Sequence, residues 1–247
     1  MDRMIVRTLC EDVFSAFLTQ FVHFEEPYHL VLIKHSESNF SSYQNFLLDI
    51  LKQRGWRIEI LNTSLTGDNT CYEVYSYVLR NSLRQFFWVD DDVFFGEDTL
   101  RLLKEFSVPD SMVAPVVWFL HLNSYQLFTP HLPDPMPIYF NLRKVPKIQT
   151  KILLSQEGHL FGWAILTLLF SQYTKIRLLI SPDGPLSIHA THKREHHKNT
   201  PWKPYPHLVD LKIREYIKKF CPDFAKRTEL ILVYKNRFNP FNPEVRK

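Results

Sequence analysis

Blocks of apolar and amphipathic residues alternate along the first half of the chain. An amphipathic helix is predicted from about Glu11 to Phe24, because apolar residues recur there at helical spacing. Three short apolar runs follow, HLVLIKH, RIEIL and FFWV, of the kind that form strands buried on both faces of a parallel sheet. The helical segments SSYQNFLLDILKQRGW and CYEVYSYVLRNSLR separate these runs. Alternating strands and helices predict an α/β fold with a parallel sheet, in which HLVLIKH is the first strand.

The second half of the chain is less regular. DTLRLLKEF is predicted to be a helix and SMVAPVVWF a strand, whereas the Pro- and aromatic-rich stretch from His121 to Pro146 is predicted to be an excursion or lid. The chain then returns to the core with LLSQEGHLFGWAILT and ends in a basic helix and the run ELILVY. Its longest apolar run, Leu160 to Phe170, falls short of the roughly 20 residues that a spanning helix needs. We therefore expect a core segment there and no transmembrane segment.

Composition narrows the class of protein. A chain of 247 residues with 45% hydrophobic and 23% charged residues is expected to form one compact domain. Its net charge of +4 is too small to predict nucleic-acid binding, although basic residues gather in the C-terminal third, where an anionic lipid surface or a diphosphate could meet them. The three cysteines are widely spaced, which favours a reducing compartment. No secretory signal is visible, so a cytoplasmic protein is expected, with peripheral membrane contact as an option.

The strongest chemical signal is the acidic triplet Asp90, Asp91 and Asp92, directly after FFWV. Ligands of open parallel sheets bind beyond the carboxyl ends of the strands, which is where this triplet falls. Adjacent carboxylates repel one another, and a divalent cation with oxygen ligands would compensate that repulsion. In extended chain the first and third residues point to the same side, so Asp90 and Asp92 are the predicted metal ligands. The alternative is that the acids end a strand and cap the helix that begins in GEDTLRLL.

FFWVDDDVFF closely resembles the signature of the GT-A glycosyltransferases, an apolar strand that runs into an Asp-x-Asp motif. The order of HSES, NTSLTGDNT, VLRNSLR and APVV around it is similar to that of inverting family-2-type transferases, over roughly Tyr28 to His207. The resemblance implies a single domain with a Rossmann-like, mostly parallel sheet flanked by helices. Residues 1–27 would form a flanking helix, 28–118 the nucleotide-sugar-binding half, and 119–247 the acceptor side with the basic C-terminal region.

The resemblance also implies ligands. The donor would be a UDP- or GDP-linked sugar, the cofactor Mn²⁺ or Mg²⁺, and the acceptor a hydroxyl of a carbohydrate or glycoconjugate. The residues that would contact the donor are Ser36, Glu37, Asn62, Asp68, Arg80, Asp91 and Trp163. The alternatives are ordinary turn chemistry for the loop residues, a solvated helix position for Arg80 and a core position for Trp163.

On the acceptor side, the resemblance implies a carboxylate base and a late histidine on the metal. Asp183 in SPDGPLSIHA is the favoured base, because it is expected to precede a helical run, and Glu157 is the other candidate. Helix capping is the alternative for Asp183. His207 is the predicted metal ligand. The histidines that could replace it are His189, His192, His196 and His197, and of these His192 and His196 could share a helix face, although no cysteine or acid completes a zinc site.

Two other functions fit parts of the pattern. V-D-D-D-V also satisfies the motif of the aspartate-nucleophile phosphatases, but that motif normally begins its domain, and here two strand-helix units are predicted before it. A non-catalytic module that binds a nucleotide sugar or a metal would carry the same acids without turnover.

Overall fold

The fold is described from a computed structural model covering residues 1–8, 11–116, 118–119, 124–125, 132–133, 136–189 and 206–234, with the backbone alone at 118–119, 124–125 and 206–210. The strands are β1 Arg3–Thr8, β2 His29–His35, β3 Arg57–Thr63, β4 Gln85–Asp90, β5 Val93–Phe95, β6 Ser111–Pro115, β7 Trp118–Phe119, β8 Ser124–Tyr125, β9 Ile138–Asn141, β10 Lys175–Ile180, β11 Ser187–His189 and β12 Thr228–Leu232. The α-helices are α1 Asp12–Phe21, α2 Ser42–Gln53, α3 Cys71–Arg80, α4 Glu97–Glu105, α5 Gln156–Ser171, α6 Pro206–Phe220 and α7 Phe224–Arg227. Two 3₁₀ turns span Gly67–Thr70 and Lys151–Leu154.

The main sheet confirms the predicted α/β fold. Its eight strands run in the order β12-β10-β6-β9-β4-β1-β2-β3, and β9 is antiparallel to both of its neighbours while the other pairs are parallel. A smaller sheet of β5, β11, β7 and β8 lies beside it. The mostly parallel sheet places the carboxyl ends of seven strands at one edge.

Two segments differ from the sequence-based expectation. HLVLIKH is the second strand and not the first, because Arg3–Thr8 forms β1 between β2 and β4 in the middle of the sheet. Residues 1–27 are therefore more than a flanking helix. The predicted excursion is also wrong in part, because its residues Ile138–Asn141 form β9 inside the sheet.

Both faces of the sheet are buried, which explains the continuous apolar runs. On β1, Ile5 packs into the cluster beneath α3 and α5, whereas Met4 and Val6 pack into the cluster beneath α1 and α2. The same alternation places Val31 and Leu32 of β2 on opposite faces. No helix in the described ranges is long and apolar enough to cross a membrane. The run from Leu160 to Phe170 lies within α5 and is largely buried, as predicted.

Candidate active site

A cavity of about 240 Å³ opens at the carboxyl edge, where β1, β2 and β4 end beside the 3₁₀ turn Gly67–Thr70. Polar groups from four different segments meet there because parallel strands end at the same edge. The lining residues are Arg7, Thr8, Ile33, His35, Ser38, Leu65, Thr66, Gly67, Asp68, Thr70, Asp90 and Asp91. The structure thus brings together two members of the triplet and Asp68, the residue predicted to border the nucleotide.

Arg7, at the end of β1, is the central cation of this cavity. Its Nε and Nη2 donate to the two carboxylate oxygens of Asp90, over 2.8 and 2.5 Å. Nη1 donates to Asp68 Oδ1 at 3.0 Å and to Cys71 Sγ at 2.9 Å. The guanidinium also lies 5.6 Å from the centre of the Trp88 ring. This fork-to-fork geometry is the strong, directional form of an ion pair.

Arg7 remains protonated although its side chain is only 9% exposed. Burial alone would lower the pKa of its guanidinium, but Asp90, Cys71 and Asp68 raise that pKa well above the ordinary value. Arg7 was not predicted from the sequence because its main partner lies 83 residues away. The short apolar run Met4 to Val6, directly before Arg7, was a local sign of a strand that ends near Arg7.

The acidic triplet does not continue as a strand. Asp90 is the last residue of β4, and Asp91 and Asp92 form a turn before β5. The expectation of an extended triplet is therefore wrong, because the strand ends at Asp90. Asp90 and Asp91 line the cavity, and the pairing of Asp90 with Asp92 as metal ligands stays a prediction. Asp92 is 5% exposed, and its Oδ2 lies 3.2 Å from His189 Nε2.

His189 reaches Asp92 because β11 pairs antiparallel with β5, with His189 opposite Val93. From the sequence, His189 is only one of several histidines that could replace His207. His207 lies on α6, where its side chain is outside the described residues, as are His192, His196 and His197. Among the residues that the structure describes, His189 is thus the histidine that lies beside the triplet.

Helix α5 holds the turn that carries Asp68. A Cβ added to Gly162 would lie 2.2 Å from the carbonyl oxygen of Asp68, so the helix backbone touches the turn directly. His159 Nδ1 lies 3.2 Å from both the Thr66 carbonyl oxygen and Asn69 Oδ1. Gly162 therefore serves close packing against the turn that carries Asp68.

The other predicted donor contacts lie elsewhere. Ser36 and Asn62 line a separate surface pocket of about 510 Å³, together with Asn39, Phe40 and other residues of the β2–β3 edge. Glu37 is exposed and lines neither this pocket nor the cavity. Trp163 is partly buried against the core, as its alternative interpretation had it.

Arg80 lies too far along α3 to approach a diphosphate at the triplet. The helix runs back from the carboxyl edge and ends at Arg80, close to the start of β4 at Gln85. Strand β4 rises about 16 Å between Gln85 and Asp90, at roughly 3.3 Å per residue. Arg80 is exposed, and its Nε donates at 3.3 Å to Ser76 of the same helix. It is a solvated helix residue.

The two candidate bases lie in different surroundings. Asp183 is exposed in the turn after β10, at the carboxyl edge, and it leads into strand β11 and not into a helix. Glu157 lies in the first turn of α5 and faces α6, where Lys212 and Lys219 are each 3.9 Å away. Burial, and then the charge of Glu157, raise the pKa of the Tyr216 hydroxyl on α6.

Asp92 and His189 offer two ligand groups that suit a divalent cation. No three His, Cys, Asp or Glu side chains in the described ranges are grouped as a complete metal centre. Mg²⁺-type sites, however, need only one or two protein ligands beside substrate phosphates. With Asp92 Oδ2 and His189 Nε2 3.2 Å apart, a carboxylate oxygen and an imidazole nitrogen, both groups that bind divalent cations, lie side by side.

Solved structures share this architecture. The Staphylococcus aureus protein TarS, as its fragment 1–349 in complex with UDP-GlcNAc, matches with a TM-score of 0.55 and 14% identity over 92% of this chain and 69% of that one. The mannosyltransferase PcManGT from Pyrobaculum calidifontis, in complex with GDP-Man and Mn²⁺, matches with a TM-score of 0.50 and 13% identity over 92% of this chain and 76% of that one. The fold is the GT-A fold. No protein-family model matches the chain, and no curated protein does either.

Proposed function

We propose that this chain is a metal-dependent glycosyltransferase that moves a sugar from a nucleotide-sugar donor to a hydroxyl acceptor. The observation that carries the proposal is the cavity at the carboxyl edge of a GT-A sheet, lined by Asp68, Asp90 and Asp91. TarS and PcManGT, which share the fold, are described with UDP-GlcNAc and with GDP-Man. These complexes support a UDP- or GDP-linked donor.

The cavity suits the nucleoside part of such a donor. Asp68 and Asp90 are held by Arg7, so their carboxylates are fixed acceptors for ribose hydroxyls. Ile33 and Leu65 supply apolar wall, and Thr8 and Ser38 supply hydroxyl groups. A few fixed polar groups in an otherwise apolar cleft are typical of sites for small ligands.

Asp92 and His189 are the residues that would hold a divalent cation, Mn²⁺ or Mg²⁺. The Mn²⁺ in the PcManGT complex supports this cofactor. When bound, such a cation would neutralise the charge that develops on the departing nucleoside diphosphate. His189 replaces the predicted His207 in this proposal because its ring already lies beside Asp92.

Asp183 is the proposed base for the acceptor hydroxyl, in a direct displacement that inverts the anomeric carbon. It lies at the carboxyl edge, on the turn that leads to His189. Its exposure lets an acceptor approach, and a carboxylate at hydrogen-bond distance can take the proton as the hydroxyl attacks. A carbohydrate or glycoconjugate acceptor, a cytoplasmic location and a peripheral membrane contact of the basic C-terminal region stay predictions from the sequence.

The phosphatase alternative finds little support in this geometry. The first aspartate of that motif must attack phosphorus, but both oxygens of Asp90 accept hydrogen bonds from Arg7. A carboxylate bound in this way is a weaker nucleophile.

A thermal-shift screen of UDP- and GDP-sugars tests the proposal. At a ligand concentration of 100 times Kd, binding adds about 2.7 kcal/mol, which raises the Tm of a domain of this size by about 5–10 °C. We expect this shift only with Mn²⁺ or Mg²⁺, and we expect Asp92→Asn to abolish it. Asp49→Asn, at an exposed position on α2, is the matched control.

Three results would contradict the proposal. A shift that persists in Asp92→Asn or in the presence of a chelator argues against the metal. Binding without transfer to any hydroxyl acceptor indicates the non-catalytic module. Release of phosphate from simple phosphoesters indicates the phosphatase.

A further inference from the structure

The surface pocket of about 510 Å³ at the β2–β3 edge lies on the other face of the sheet from the cavity at the triplet. Ile33 of β2 lines the cavity, whereas the next residue, Lys34, lines the pocket, because successive side chains of a strand point to opposite faces. The register of the two strands places Asn62 of β3 opposite Lys34, and both line the pocket. The pocket is thus built independently of the cavity.

Lys34 is a buried cation, with an exposure of only 8%. Its ammonium group donates to the carbonyl oxygen of His35 at 3.2 Å and to that of Ser38, and it lies 5.8 Å from the centre of the Phe40 ring. These two hydrogen bonds use two of its three N–H groups. Within the described part of the chain, neither a carboxylate nor a third acceptor reaches this ammonium group.

A buried lysine without an anionic partner is unusual, because removing an ammonium group from water is costly unless a negative charge compensates it. Arg7, which is buried to a similar degree, shows the ordinary arrangement, since it pairs with Asp68 and Asp90. Among the described residues that line the pocket, Lys34 is the one charged side chain. The pocket therefore favours an anionic ligand.

The remaining polar groups of the pocket can all donate hydrogen bonds. They are the side-chain amides of Asn39, Asn45 and Asn62 and the hydroxyl of Ser36. Asn45 lies in the first turn of α2, where the helix dipole also favours negative charge. Several donors around one cation suit the three or four acceptor oxygens of a phosphate group better than the two oxygens of a carboxylate.

We propose that this pocket binds the phosphate group of an organic phosphate, with Lys34 as the counter-charge and the amides of Asn39, Asn45 and Asn62 as further donors. Its volume lies in the range of pockets for small molecules, so the ligand is larger than a bare ion. The ring of Phe40 and the exposed side chain of Ile60 would contact the organic part. The proposal does not rest on the proposed function.

The test is a titration of the full chain with three probes, at constant ionic strength and with a chelator that removes divalent cations. Inorganic phosphate and glucose 6-phosphate are titrated by calorimetry, and vesicles with phosphatidic acid by co-sedimentation. We expect an organic phosphate to bind more tightly than inorganic phosphate, because it also contacts the apolar wall. Preference for glucose 6-phosphate would indicate a soluble ligand, and preference for the vesicles a lipid headgroup.

Three variants show whether binding occurs in this pocket. Lys34→Met should weaken binding by about tenfold or more, the scale of a lost charge-assisted hydrogen bond. Asn62→Ala, at an exposed position, should weaken it by about two- to tenfold, the scale of a neutral hydrogen bond. Lys144→Met, which removes an exposed lysine outside the pocket, is the matched control and should bind as the wild type does.

A wild-type chain that binds none of the three probes would overturn the inference. Undiminished binding by Lys34→Met would do the same, because Lys34 would then only anchor the loop through the His35 and Ser38 carbonyl groups. Equal weakening by Lys34→Met and Lys144→Met would indicate general surface charge and would also overturn it. If Lys34→Met does not fold, Asn62→Ala decides, since unchanged binding by that variant would place the ligand elsewhere.

Discussion

Two groups of charged residues, on the proposed donor side and on the proposed acceptor side of the molecule, are built differently. On the donor side, Asp68 and Asp90 surround a buried guanidinium with bonds of 2.5–3.0 Å. On the acceptor side, Glu157 lies 3.9 Å from two lysines of α6 and is 42% exposed. Buried, fully bonded charges depend strongly on each partner, whereas solvent compensates exposed ones. The carboxylates with a fixed geometry therefore lie on the proposed donor side.

The largest effect on the rate of transfer is expected from the catalytic base, for which Asp183 and Glu157 are the two candidates. Asp183→Asn should lower transfer by about 10²- to 10⁴-fold, the usual contribution of a general base. Glu157→Gln should retain transfer, because Glu157 faces α6 and not the carboxyl edge. The measurement is kcat with saturating donor and acceptor, with donor and Mn²⁺ affinity as the control for binding.

The opposite result would change the comparison. If Glu157→Gln loses transfer while Asp183→Asn keeps it, the acceptor binds where α5 meets α6, beside Glu157. The loosely paired acid would then be the reactive one.

A smaller effect, on stability, tests the donor side. Arg7→Met leaves Asp68 and Asp90 without their shared cation, and removal of one partner of a buried pair costs about 3–5 kcal/mol. Lys219→Met, from an exposed pair, should cost under about 1 kcal/mol. Chemical denaturation measures both free energies of unfolding. Equal losses would mean that water compensates Asp68 and Asp90 as well as it does Glu157.

Local patterns predicted most of the fold. Strands such as β2 and β4 are continuous apolar runs, and α2 is preceded by its N-cap Ser41, which forms a capping box with Gln44. Such signals are local and need no tertiary information. The sequence therefore predicted the mostly parallel sheet and the position of the triplet at its edge.

What the sequence did not predict depends on distant partners. Strand β1 has only three apolar residues in its centre and owes its place to pairing with β2 and β4. Arg7 contacts Asp90, which lies 83 residues away in the sequence. His189 comes close to Asp92 through the pairing of β11 with β5. The turn at Asp91 and Asp92 overrode the alternation expected of an extended chain.

The smallest predicted effect concerns the packing that joins the two sides. A Cβ at Gly162 of α5 would lie 2.2 Å from the carbonyl oxygen of Asp68, so Gly162→Ala must push the turn that carries Asp68 away from the helix. Alanine favours a helix over glycine by up to about 1 kcal/mol, but overpacking costs about 1–3 kcal/mol, so we expect a net loss of about 1–2 kcal/mol. Nucleotide-sugar binding should weaken with it, because Asp68 moves. Gly96→Ala, where nothing lies within 4 Å of the added Cβ, is the control, with donor affinity unchanged and a loss below about 1 kcal/mol. Both variants are measured by urea denaturation and by titration with the nucleotide sugar. A Gly162→Ala variant that is more stable than the wild type and binds the donor equally well would show that α5 does not position the turn that carries Asp68.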